Sequence, residues 1–136
     1  MPERGSKVRP WVERAEEDFR MATHELERGD DAALGGICFH SQQCTEKYLK
    51  ALLVLHAVVF PATHDLNALL KLVPGKVGLE LAVTDVVPLN RYSIEGRYPG
   101  DWELPTRRDA EEAAALMQKA RDAIRKCLPK DALKGA

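Results

Sequence analysis

The chain has 136 residues, of which 45% are hydrophobic and 30% charged, with a formal net charge of -1 at pH 7. That length and mixture fit one globular domain with its own core and exclude a disordered chain. The near-neutral charge excludes a generally basic nucleic-acid binder, although net charge can hide a local basic patch.

Residues 1–9 hold Pro, Gly, Ser and charges without apolar periodicity, so a flexible tail is expected there. They contain no apolar stretch of the signal-peptide kind. A first helix is predicted from Pro10 to Arg28, because Trp11, Ala15, Phe19, Ala22 and Leu26 recur at helical spacing. Gly29 suits its C-terminal cap, and Asp30 or Asp31 suits the N-cap of the next helix. So short a connection makes the two helices an antiparallel hairpin.

The second helix is predicted from about Asp31 to Val59, ending before Pro61. It is apolar on more than one face, so it must be buried on most faces. Its run LLVLHAVVF is too short to span a membrane, which takes about 20 residues. Yet His40, Gln43, Lys47 and Lys50 fall within about 80° of one another. That ladder is either a hydrogen-bonded stripe on a packed helix or a groove wall meeting an anionic ligand or partner.

Thr63 is predicted to cap a short helix from His64 to Val73, stopped by Pro74 and Gly75. The segment 78–93 is rich in β-branched residues, but Leu79, Ala82, Val83, Val86 and Leu89 keep helical spacing, so a helix disturbed near Pro88 is expected. The stretch 95–105 holds paired Gly and Pro residues and reads as a loop. Thr106, with Asp109 in a capping box, opens a last helix running to about Leu128. Pro129 ends it, and 129–136 is expected to be a second flexible tail. The whole is an all-α, antiparallel up-and-down four-helix bundle with one extra short helix, a single domain over residues 10–128.

The chemistry-bearing residues are few. The histidines His24, His40, His56 and His64 form no closely spaced pair, so neither a metal nor a cofactor is called for. The Gly35-Gly36 pair lies in a helical pattern without the following Lys of a phosphate loop. Cys38 and Cys44 point about 240° apart on a helix and cannot pair. With Cys127 they read as reduced thiols of a cytoplasmic protein. The best site candidate is the cluster 91–99, where Arg91, Arg97, Arg107 and Arg108 gather with Tyr92, Tyr98 and Trp102. Arginines interleaved with aromatics suit phosphates and stacked bases. Such a loop can equally be pinned by its tyrosines, with Arg97 paired to a carboxylate.

Four motifs in order give the chain a family resemblance. Helix one, WVERAEEDFRMATHELERGDD, looks like the opening helix of the HEPN domains (higher eukaryotes and prokaryotes nucleotide-binding). Phe39, Gln42, Gln43, Glu46, Lys47, Leu49, Lys50 and Ala51 are similar to the signature of that family's second helix. His64-Asp65-Leu66 and Arg97-Tyr98-Pro99 resemble its later motifs, and the likeness spans about Trp11 to Leu128.

The resemblance implies a homodimer without membrane attachment, and two kinds of activity. Many members are metal-independent ribonucleases, often toxins, that use an Arg-x4-6-His motif. Others accompany a minimal nucleotidyltransferase in toxin–antitoxin-like systems and are thought to bind nucleotide or RNA. Here Arg91 and Tyr98 fit an Arg-x4-His-x-Tyr version, but Gly96 stands in place of the His, and glycine moves no proton. Tyr98 sits where some family toxins carry a tyrosine that the partner modifies with adenylate.

The expectation is therefore a homodimeric binding module paired with a nucleotidyltransferase. Arg91 and Arg97 would contact phosphate and Tyr98 would stack, with Lys47 and His40 as secondary ligand-binding residues. The alternatives are a divergent ribonuclease, with His64 or Tyr98 moving the proton, and a ligand-free structural dimer.

Overall fold

The fold comes from a computed structural model, which describes residues 2–93 and 103–135. Three long helices carry it: α1 (Pro2–Leu26), α2 (Leu34–Leu55) and α5 (Arg107–Arg125). A 3-10 turn, Gly29–Asp31, reverses the chain between α1 and α2. These two helices share the largest interface of the fold, and α5 packs on the other side of α2. The short helices are α3 (Leu66–Lys71), α4 (Val83–Val86) and α6 (Lys130–Leu133). The result is the expected all-α bundle with α2 at its centre.

The central position of α2 follows from its composition. Ile37, Cys38, Tyr48, Leu49, Leu52 and Leu53 are all buried, and they lie on several faces of the helix. Such a helix can only sit between others. From α1, Val8, Val12, Ala15 and Ala22 complete the core, and from α5, Ala110, Ala113, Met117, Ala120 and Ile124.

Several boundaries differ from the periodicity reading. Residues expected as the first tail belong to α1, which begins at Pro2, and Val8 is fully buried. Pro10 lies inside this helix, exposed to solvent. The expected second tail holds α6, which packs against α1 through buried Ala132. Neither Asp30 nor Asp31 caps α2. Its N-cap is Ala33, whose amide donates to Glu25 Oε1 of α1 at 2.7 Å. In α3, Asp65 rather than Thr63 is the N-cap, accepting from the Asn67 amide at 3.0 Å.

The stretch 78–93 is not one helix. After a 3-10 turn at Gly75–Val77 it comprises an irregular passage, α4, and a 3-10 helix at Val87–Tyr92 with Pro88 in its first turn. Only Val86 and Leu89 of this stretch are fully buried. A segment that buries so little needs no continuous helix. At the start of α5 the expectation holds: Thr106 and Asp109 exchange bonds of 2.9 and 3.0 Å in a capping box.

Helix α2 stops at Leu55, short of Pro61, in a Schellman-type ending. The Ala57 amide donates to Val54 O at 3.1 Å and the Val58 amide to Leu53 O at 2.9 Å. This requires Ala57 at φ 55°, a left-handed conformation that an L side chain resists. An Ala57→Gly variant should therefore be more stable by about 1 kcal/mol. Thermal denaturation checks this, and a lower midpoint would contradict the strain.

No helix among the described residues is long and apolar enough to cross a membrane. Cys38, Cys44 and Cys127 are unpaired thiols.

Candidate functional site

The polar ladder on α2 divides into two ion-pair centres. Asp18 of α1, only 6% exposed, takes the upper rungs. His40 Nδ1 lies 2.7 Å from its Oδ1 and Lys47 Nζ 2.5 Å from its Oδ2. Glu46, equally buried at 3%, takes the lower one. Lys50 Nζ and Gln42 Nε2 each reach it at 3.1 Å, and His64 Nδ1 at 2.7 Å. Lys50 also lies 5.7 Å from the ring centres of both Trp11 and Phe60. Gln43 Nε2 donates to Gln42 Oε1 at 2.6 Å. Each of the four ladder residues is thus hydrogen-bonded or ion-paired within the fold. Periodicity could not reveal this, because Asp18 lies on another helix.

From the Glu46 centre a chain of contacts leads to the arginine turn. Gln42 Nε2 holds the His64 carbonyl at 3.3 Å. Next in sequence, Asp65 Oδ1 accepts from Asn90 Nδ2 at 3.1 Å, and Asn90 Oδ1 accepts the Leu66 amide at 2.9 Å. Asn90 precedes Arg91 and fixes its backbone to the start of α3. Thr63, His64, Asp65, Asn90 and Ser93 line an open cavity of about 290 Å³ here.

Arg91 is held on the opposite side of that turn. Its Nη2 is 2.5 Å from Tyr92 Oη and 3.0 Å from Asp109 Oδ1, and its guanidinium lies 4.8 Å from the Tyr92 ring centre. The side chain remains 55% exposed. Its hydrogen bond to the Tyr92 oxygen and the Asp109 carboxylate both strengthen its charge. The Thr106 amide, with Arg91, holds the Asp109 carboxyl below its usual range. Burial pushes the Tyr92 phenol up, so it stays neutral. Leu89, Arg91 and Tyr92 from the turn face Asp109, Glu112 and Leu116 of α5 across a cavity of about 340 Å³.

Of the other expected site residues, Arg97 and Tyr98 lie outside the described residues. Arg107 is engaged structurally. It donates to Gly29 O at 3.1 Å and to Leu26 O at 3.2 Å, covering the carbonyl end of α1. His40 and Lys47 meet at Asp18, while Arg91 stands apart over α5. Motif reading missed Asp18, Asn90 and Glu112. Only Glu112 had a local signal, lying three residues after Asp109 on the same face of a predicted helix. Among the described residues, no group of three or more His, Cys, Asp or Glu could hold a metal ion.

An all-α bundle with this motif order defines the class of protein, and comparison gives the family. The HEPN domain model matches residues 8–127, and the chain belongs to that family. It is similar to TT1696 from Thermus thermophilus, at 30% identity and a TM-score of 0.72, over 90% of this chain and 98% of that one. It is also similar to ST0689, an archaeal HEPN homologue, at 26% identity and a TM-score of 0.66, over 88% and 95% of the two chains. No curated protein matches the chain.

Proposed function

We propose that this HEPN chain works as a homodimeric binding module for nucleotide or RNA and accompanies a minimal nucleotidyltransferase. The supporting observation is the presentation of Arg91. It is half exposed, stacked on a neutral tyrosine and, among the described residues, tethered at Nη2 alone. A guanidinium fixed in orientation, with other donors directed elsewhere, suits a phosphate oxygen. Arg97 and Tyr98 follow Arg91 by six and seven positions in the sequence, and the family resemblance makes them its companions in ligand binding.

Binding is favoured over cleavage by the sequence of the 91–98 motif. The family resemblance sets Gly96 where the nuclease His would stand, and glycine moves no proton. The family's habit supports the dimer.

Titrating single-stranded RNA at several salt concentrations tests the reading. Arg91→Ala and Arg97→Ala should each weaken binding and reduce the slope of log K against log salt by about 0.7. Helicity should stay unchanged in Arg91→Ala, because that side chain is outside the core. Unchanged affinity in both variants would end the assignment, and a monomer by sedimentation would end the dimer. RNA cleavage without metal, abolished by Arg91→Ala, would replace the binding module with the ribonuclease.

A further inference from the structure

Resting on the proposed nucleotide-binding role, we infer that the cavity between the 87–92 turn and α5 takes one purine nucleotide and prefers guanine, with Glu112 reading the base. Asp109, Glu112, Ala113 and Leu116 lie on one stripe of α5, and Leu89 and Tyr92 face them from the turn. From Asp109 to Leu116 the helix rises about 10 Å, the length of one nucleotide rather than of a strand. At about 340 Å³ the cavity has room for a base and its sugar.

The polar groups divide the cavity into a phosphate end and a base end. Asp109 is fully engaged, with Oδ1 on Arg91 and Oδ2 on the Thr106 amide. Arg91 uses only Nη2 among the described residues, so Nε and Nη1 remain as donors for a phosphate. The floor beyond it is apolar, formed by buried Leu89 and Ala113 and part-buried Leu116. Glu112, about 4.5 Å along α5 from Asp109, has no hydrogen bond or ion pair with any described residue. A carboxylate accepts only. It therefore repels phosphate and selects a base edge that presents donors.

Guanine offers two adjacent donors, N1–H and the N2 amino group, which match a carboxylate as a bidentate pair. Adenine offers a single amino group on that side. A good bidentate contact of this kind discriminates by about tenfold or more.

Calorimetric titration of the dimer with GMP, AMP and IMP tests this. GMP should bind at least about tenfold tighter than AMP, with IMP between them because it lacks the amino group. Glu112→Gln should remove the GMP preference while keeping AMP affinity, since Glu112 is exposed and its replacement leaves the helix intact. Equal GMP and AMP affinities, or a preference that survives in Glu112→Gln, would overturn guanine reading and leave the nucleotide-binding role standing. Binding of none of the three by folded protein would remove both.

Discussion

An Arg121→Ala variant should lose about 3 kcal/mol of stability, because it removes the two-pronged partner of a buried carboxylate and leaves it only Tyr48 and the more distant Arg125. Glu16 of α1 is only 5% exposed. Arg121 of α5 grips it with Nε at 2.7 Å and Nη2 at 2.8 Å. The Tyr48 hydroxyl of α2 donates to Glu16 at 2.5 Å and accepts from Arg125 at 3.0 Å. The guanidinium also lies 4.2 Å from the Phe19 ring centre. One carboxylate thus ties the three long helices together. Removing both charges with Glu16→Leu and Arg121→Met should recover most of the loss, since a packed apolar pair avoids the desolvation penalty.

The same cluster sets an acid limit. Burial pushes the Glu16 carboxyl up, but the bonds from Arg121 and Tyr48 and the charges of Arg121 and Arg125 outweigh it, holding the group below its ordinary value of 4.5. An acid depressed in the folded state adds stability that is complete above its unfolded value. That stability is lost as pH falls through the folded value. The parent should therefore weaken below pH 4.5. The gap between parent and Arg121→Ala should narrow on acidification, because protonated Glu16 no longer needs the guanidinium. Urea denaturation at neutral and acid pH measures both. Equal stability at neutral pH would show that the cluster contributes nothing to the fold.

Local patterns announced the long helices because their apolar residues repeat with the period of the structure they form. Thr106 and Asp109 announced the start of α5 because a capping box is complete within four residues. Ends set by tertiary contacts were not legible. Helix α2 turns off through Ala57 without a glycine, because burial of Leu53 and the Val58 packing behind it carry a strained residue. It begins after Ala33 because Glu25 reaches across from α1. The same limit applies to the site. The cluster 91–99 was visible as composition, and Arg91 occupies an exposed turn as that composition suggests. Asp109 as its tether and Asp18 as the partner of His40 and Lys47 were not visible, since each pair joins separate elements.

The second large effect is expected at Glu46. Glu46→Ala leaves Lys50, only 11% exposed, with no carboxylate in reach among the described residues, and should remove about 3 kcal/mol of stability. Trp11 and Phe60 still offer their ring faces to the ammonium, which keeps the loss at the lower end for a broken buried pair. Glu46→Gln, which keeps an acceptor for the neighbours, should lose less. The change should also be felt beyond the ion pair. With Glu46 gone, Gln42 and His64 lose their common anchor, and the 63–65 segment that leads into α3 is loosened. Amide exchange at Leu66, whose hydrogen goes to Asn90, should rise more than global destabilisation alone produces. Because Asn90 immediately precedes Arg91, nucleotide affinity should fall in the same variant although Glu46 touches no ligand. Leu66 exchange that merely tracks the global loss would cut the link between the Gln-Gln-x-x-Glu motif of α2 and the arginine turn. The motif would then serve the core alone.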